Sequence, residues 1–321
     1  SAIYDECDFI GINYNLSIYD TVHKMRPNKP VFASECCATG TTRDWNFDAD
    51  ANGRIRDKDR DTNSWFRGRE KTYKFLRERP YVFGCYQWAA VEHRGEAAWP
   101  RVCSASGALD LFLQKKGAFY QNKSHWTEEP MAHIVPHWNF KGLEGTEIPV
   151  TVYTNCEELE LFLNGISLGR KQIEKYGHGE WSVKYAAGTL EVKGFNVGKE
   201  VCGDKRVTTG RPAALKLTKD NDFTANGNDI ALFTCDCVDE NGLTVPDAAE
   251  YVRFSVSAPA KIIGTGSDNC DHNNVANTER KMYMGKIRIA IKLQKGQETL
   301  TLTAVSDNCD PAMFSYILSD I

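Results

Sequence analysis

The chain has 321 residues, 41% hydrophobic and 26% charged, which is room for two or three domains with separate cores. Its formal net charge of −4 disfavours a nucleic-acid partner or an anionic membrane surface, since both select basic faces. No apolar run approaches the ~20 residues that span a bilayer, and Ser1 to Asp8 carries three acids without the basic start of a signal peptide.

Residues 1–128 alternate β and α signals. Cys7 to Asn13 is an apolar strand with no helix before it, and Ser17 to Met25 a brief helix that Pro27 and Pro30 must end. Pro30 to Cys36 is a second strand, followed by a polar excursion from Thr39 to Asn63. Ser64 to Arg79 is predicted helical, with Ser64 as N-cap and Pro80 as stop. Tyr81 to Ala90 is a third strand and Lys115 to Trp126 a closing helix. Repeated strand–helix units favour parallel strands with right-handed crossovers. Their apolar sequences suit strands covered on both faces. Polar residues collect at the strand ends (Asn13 and Tyr14, Glu35, Trp88 through Glu92), as in a (β/α)₈ barrel, which is preferred over a doubly wound sheet.

From about His133 the pattern becomes all-β. Ile148–Thr154, Leu159–Leu163, Ile166–Arg170, Trp181–Tyr185 and Thr189–Phe195 read as short strands, with Asn164-Gly165 as a hairpin turn. A second run follows Gly210-Arg211-Pro212: Ala214–Thr218, Ile230–Val238, Val252–Val256, Gly285–Leu293, Thr299–Ala304 and Phe314–Leu318. The expected fold class is multidomain α/β plus all-β: a partial (β/α)₈ barrel over 1–128, then immunoglobulin-like β-sandwiches over 129–207 and 208–321. The 11 cysteines form no Cys-x-x-Cys pair. Scattered thiols read as small buried hydrophobes and point to a reducing, cytoplasmic compartment.

Glu35 ends an apolar strand, where burying a carboxylate is costly unless it is paired or has a task. Local chemistry leaves two readings: a side chain that reaches solvent or pairs with a base such as Arg43, or a functional carboxylate. The run KPVFASECCATGTTR (Lys29–Arg43) resembles the nucleophile segment of glycoside hydrolase family 2. GINYN (Gly11–Asn15) is similar to the preceding barrel strand of that family, and GCYQWAAVEHRGE (Gly84–Glu96) to its last one. The run SASGALDLFLQKKGAFY (Ser104–Tyr120) resembles the family's Ser-x-x-Gly-φ-φ-Asp segment that ends on Lys. The resemblance covers the whole chain and is closest to β-galactosidases.

It implies a retaining glycosidase with Glu35 as nucleophile and Tyr14 hydrogen-bonded to it. Asn13 and Trp88 would contact the sugar, with Trp88 as its apolar floor; Arg43, Glu92, Arg94 and Glu96 would be rim residues that bind hydroxyls or brace the site. Glu92-His93 departs from the family's Asp-Tyr, and His93 reads equally as a plain loop residue. Trp99 either stacks on a second sugar or covers the barrel edge. Such an enzyme needs a second carboxyl group as general acid/base. The family's Asn-Glu pair occurs nowhere in the chain, so that residue, five barrel strands and any divalent-cation site are expected upstream. No cofactor or metal is assigned within the chain. The implied partners are a β-galactoside and the N-terminal part of the same protein, with homo-oligomerisation open. Ser104-Ala105-Ser106 before Gly107 lacks the cation that β-glucuronidases use to grip a sugar carboxylate; a β-mannosidase and a non-catalytic carbohydrate-binding or adhesion protein are the other readings.

Overall fold

Lys29 shapes the start of the chain. Its ammonium donates to the carbonyls of Asp5 (2.6 Å) and Cys7 (2.5 Å), which removes the latter from any strand ladder. In the computed structural model, which describes residues 3–318, the first strand is therefore shorter than expected and follows a one-turn helix, α1 (Ile3–Glu6). Strands β1 (Ile10–Asn13), β2 (Val31–Cys36) and β3 (Val82–Gln87) make a parallel sheet in that order.

One face of this sheet is a core. Ile10, Ile12, Val31 and Ala33 pack with Tyr19 and Val22 of α2 (Tyr19–Met25) and with Tyr73 and Leu76 of α3 (Arg69–Arg77). Among the described residues nothing covers the other face, contrary to the two-sided burial expected of these strands. There Phe9, Phe83 and Tyr86, all more than half exposed, surround Phe32 with ring centroids 5.5, 5.3 and 6.0 Å away. Helix α3 also starts later than Ser64. Asn63 accepts hydrogen bonds from the Trp65 and Phe66 amides, an Asx turn that holds this stretch out of the helix. The Asp59 carboxylate instead accepts from the first amides of α3, Arg69 (2.9 Å) and Glu70 (3.0 Å). Helix α4 (Gly117–Trp126) closes the region.

The strands that follow are β4 (Ala132–Val135), β5 (Glu147–Thr154), β6 (Glu158–Leu163), β7 (Ile166–Gln172), β8 (His178–Lys184), β9 (Thr189–Asn196) and β10 (Lys199–Val207). They form two antiparallel sheets, ordered β4-β5-β8 and β10-β9-β6-β7. Between the sheets lie Val150, Val152, Leu159, Leu161, Trp181, Val183, Leu190 and Val192. The β6–β7 turn has positive φ at Asn164 (51°) and Gly165 (79°), the type I′ geometry its sequence predicts. Strand β10 is an edge strand with mostly exposed polar residues, and so carries no apolar pattern to reveal it.

The described residues form two compact units divided between Arg206 and Val207. The second holds β11 (Ala214–Lys219), β12 (Ile230–Val238), β13 (Tyr251–Val256), β14 (Lys261–Gly266), β15 (Glu279–Lys281), β16 (Lys286–Lys292), β17 (Thr299–Val305) and β18 (Ala312–Ile317). Two four-stranded sheets, β11-β12-β16-β14 and β15-β13-β17-β18, enclose Phe233, Cys235, Ile287, Ile289, Leu300 and Leu302. The chain is thus mostly β-strand, with two-sheet packing in both all-β regions.

Within the first unit, His178 of β8 joins the strand–helix region to the sheets. Its Nδ1 lies 2.5 Å from Glu70 of α3 and its Nε2 2.7 Å from Glu180. Burial pulls the imidazole pKa down, but the two carboxylates outweigh it and hold the value above the ordinary 6.5. Burial likewise raises Glu70, yet His178 and Lys74 bring it down to about 2. His178 therefore contributes stability that is complete below pH 6.5 and is lost as pH rises through its folded pKa. Glu70 contributes above its ordinary 4.5, a contribution lost as pH falls through about 2. Urea denaturation across pH 5 to 9 should show stability falling on the alkaline side, and His178→Gln should flatten that fall.

Candidate active site

The parallel register sets the site. Asn13 at the end of β1 pairs with Glu35 near the end of β2, and Cys36 with Gln87 at the end of β3. Just beyond the strands, the Tyr14 amide donates to the Glu35 carbonyl and the Trp88 amide to the Cys36 carbonyl, both at 2.8 Å. Asn13, Tyr14, Glu35 and Trp88 thus come from three neighbouring strand ends on the same side of the sheet.

The Glu35 carboxylate, half-buried, accepts two side-chain hydrogen bonds. The Tyr14 phenol donates a short one to Oε1, and Asn13 Nδ2 donates to Oε2 at 3.2 Å. Ser34 Oγ donates to Asn13 Oδ1 at 2.6 Å, which fixes the amide with its nitrogen toward Glu35. Burial, and then the bond to Glu35, raise the Tyr14 pKa far above the phenol range, so the ring remains a donor at any working pH. Tyr14 has a left-handed backbone (φ 54°), a conformation that costs roughly 1–2 kcal/mol in a non-glycine residue. Its ring is braced edge-on by Phe66 at 4.7 Å. Sequence gives no sign of either role: Phe66 falls within the stretch predicted helical, and Ser34 stands in the quoted nucleophile segment with no partner assigned to it.

Trp88, half-buried, donates its indole N–H to Glu96 Oε2 at 3.2 Å and meets the edge of His93 at 5.4 Å. His93 Nδ1 lies 3.2 Å from Ser104 Oγ. Glu96, Arg94 and Trp99 are exposed on this segment, Trp99 by 83%.

Two expected rim residues are interior. Glu92 is buried and accepts from Lys116 Nζ at 2.5 Å, with both side chains fully excluded from solvent. The extra methylene of Glu over Asp takes the carboxylate to this lysine, not to a sugar hydroxyl. Arg43 is also buried, and its Nε donates to Asp110 at 2.7 Å, so it joins the interior frame and does not neutralise Glu35. Lys116 donates further to the Ala105 carbonyl (2.9 Å). Buried Arg69 reaches Thr39 Oγ1 (2.9 Å) and the Ser106 carbonyl (3.1 Å). These bonds tie the segments after β2 and β3 to residues 104–116. Asp110 and Lys116 are the acid and base of the fourth quoted run, while Arg69 carries no signal in its helix. Among the described residues no group of three or more His, Cys, Asp or Glu could hold a metal ion.

Residues 215–315 match the model for glycoside hydrolase family 2 C-terminal domain 5, and residues 145–202 match a domain of unknown function (DUF4982). The β-galactosidase BoGH2A of Bacteroides ovatus is 30% identical over 95% of this chain and 38% of its own length. The chain belongs to glycoside hydrolase family 2. A putative β-glucuronidase of Formosa agariphila is 33% identical over 73% of this chain and 24% of its own. A solved family 2 member from Bacteroides cellulosilyticus superposes with a TM-score of 0.81 at 27% identity, covering 97% of this chain and 41% of that one. This chain therefore spans well under half the length of these family 2 relatives and corresponds to the family's C-terminal region.

The interior frame is open to test. Removing one partner of a buried ion pair leaves the other charge stranded, at about 3–5 kcal/mol. Lys116→Met should cost about that much in urea denaturation of the chain. Glu96→Gln, at an exposed site, should stay within about 0.5 kcal/mol of the parent.

Proposed function

We propose that the parent protein is a retaining exo-β-glycosidase that hydrolyses terminal β-galactosides, with Glu35 as its nucleophile. The observation that carries this reading is the Glu35 carboxylate at a strand end, held by Tyr14 on one oxygen and Asn13 on the other. In this reading the three parallel strands are the last of a (β/α)₈ barrel, in a domain that ends near residue 128. Residues 129–207 and 208–321 are then the two immunoglobulin-like sandwiches that follow it in the chain.

A carboxylate held by two donors is oriented to attack an anomeric carbon. Attack forms a glycosyl–Glu35 ester and releases the aglycone; water then cleaves the ester with net retention. Tyr14 keeps its proton, steadies the carboxylate before attack, and bonds the ester oxygens after it. Trp88 offers an apolar face to the sugar ring, with Asn13, Arg94 and Glu96 placed to meet hydroxyls. The general acid/base belongs about 5–5.5 Å from Glu35 in a retaining enzyme, and is assigned to the parent protein outside this chain. A non-catalytic binding protein would have no use for Tyr14 in a strained backbone, bonded to a strand-end carboxylate.

Galactoside specificity rests on the relative aligned over 95% of the chain and named a β-galactosidase. It rests also on the neutral Ser104-Ala105-Ser106. The second reading, β-glucuronidase, is favoured by the names of several shorter matches. Nitrophenyl galactoside and nitrophenyl glucuronide, offered to the full-length protein, separate the two.

In the full-length protein, Glu35→Gln should lower kcat by about 10³-fold or more, as loss of a nucleophile does. A hydrogen bond to a charged group is worth about 1.5–3 kcal/mol, so Tyr14→Phe should lower kcat roughly 10- to 100-fold. Both variants should keep the parent's circular dichroism. Residues 1–321 alone, lacking a proton donor for the departing sugar, should leave lactose intact; turnover at an ordinary rate would place the acid within this chain.

A further inference from the structure

Several cysteine sulfurs come close among the described residues, including buried Cys36 and partly exposed Cys85; one further pair has its path kept clear by a glycine. Cys36 and Cys37 lie 3.3 Å apart but are adjacent residues, both buried. Cys237 and Cys309 lie 3.8 Å apart and are likewise buried. The Cys156 and Cys202 sulfurs lie 3.3 Å apart although 46 positions separate the residues, and Cys202 is partly exposed on edge strand β10.

The two thiols meet above Gly194, which sits on β9 between them. A Cβ on Gly194 would fall 2.7 Å from the Cys202 sulfur and 2.9 Å from the Cys156 sulfur, closer than van der Waals contact allows. Any other residue there would push the sulfurs apart. Glycine weakens a strand interior and often marks a close approach, and here what approaches is the thiol pair. Cys156 stands just before β6, so a bond between the sulfurs would staple β10 to the start of β6 across β9.

We propose that Cys156 and Cys202 form an oxidation-sensitive pair that a hydroperoxide converts into a disulfide. One thiolate of the pair attacks the peroxide, breaking its O–O bond; this sulfur becomes a sulfenic acid, and the released oxygen takes up a proton to leave as water or alcohol. The other sulfur then attacks the sulfenic sulfur. Its own proton leaves with the displaced hydroxide as water, and an S–S bond remains. In sum, two thiols lose two electrons and two protons and the peroxide gains them. Closure needs the sulfurs to move from 3.3 Å to about 2.05 Å, a matter of side-chain rotation. The hydrogen bond from Cys202 outweighs burial and lowers the Cys156 thiol, while Cys202 is the partly exposed sulfur of the two.

The test uses the 321-residue chain treated with hydrogen peroxide, then alkylated, digested without reduction and mapped by mass spectrometry. Cys156 and Cys202 should appear in one cross-linked peptide, and the oxidised chain should melt several degrees higher than the reduced one. Cys156→Ala and Cys202→Ala should each abolish the cross-link and the shift. Gly194→Val should sharply reduce the cross-link. Both cysteines still alkylated after peroxide, or either found linked to a different cysteine, would overturn the proposal.

Discussion

The functional end of this chain depends on register. In a parallel pair, sliding one strand by a single residue turns its side chains to the opposite face. Here the alignment of Asn13 with Glu35 is what lets an amide and a phenol from one strand end reach a carboxylate on the next. Packing against α2 and α3 sets the apolar pairs Ile10–Val31 and Ile12–Ala33, and an irregularity between Ile12 and Asn13 then shifts the pairing by one residue, so that Asn13 stands opposite Glu35 and not Ser34. Apolar packing and that one-residue shift together determine the polar geometry at the strand ends.

Behind the site, charge does the fixing. The segments after β2 and β3 have little regular structure, and their backbones are held by buried Lys116, Arg69, Arg43, Glu92 and Asp110. Desolvating such groups is expensive, and a hydrophobic interior of equal volume is often no less stable. What the ionic frame provides is directionality, because each guanidinium or ammonium requires particular oxygens at particular places. Trp88 and Glu96 project from a loop built in this way. Two-sheet packing completes the first unit, and His178 joins it to α3 through Glu70.

Much of this was legible in sequence. The three strands, the α4 helix and the Asn164-Gly165 hairpin follow from apolar runs and turn chemistry, and the Glu35, Tyr14 and Asn13 contact follows from the two short motifs that contain them. The misreadings have physical causes. Helix α3 begins at Arg69 because Asp59, ten positions upstream, supplies the carboxylate that its first amides need. No local pattern shows that. Edge strands such as β10 and β14 bury too little to show alternation. The family resemblance put Glu92 and Arg43 on the rim, to bind hydroxyls or brace the site; they brace it from the interior, and their burial becomes visible only once Lys116 and Asp110 are in place.

The central claim is that Glu35 makes the covalent bond to the sugar. A 2-deoxy-2-fluoro galactoside with an activated leaving group slows both steps of a retaining mechanism and lets the glycosyl-enzyme accumulate. The full-length protein should gain one fluorosugar, and peptide mapping should place it on Glu35. Labelling of any other carboxylate would contradict the account.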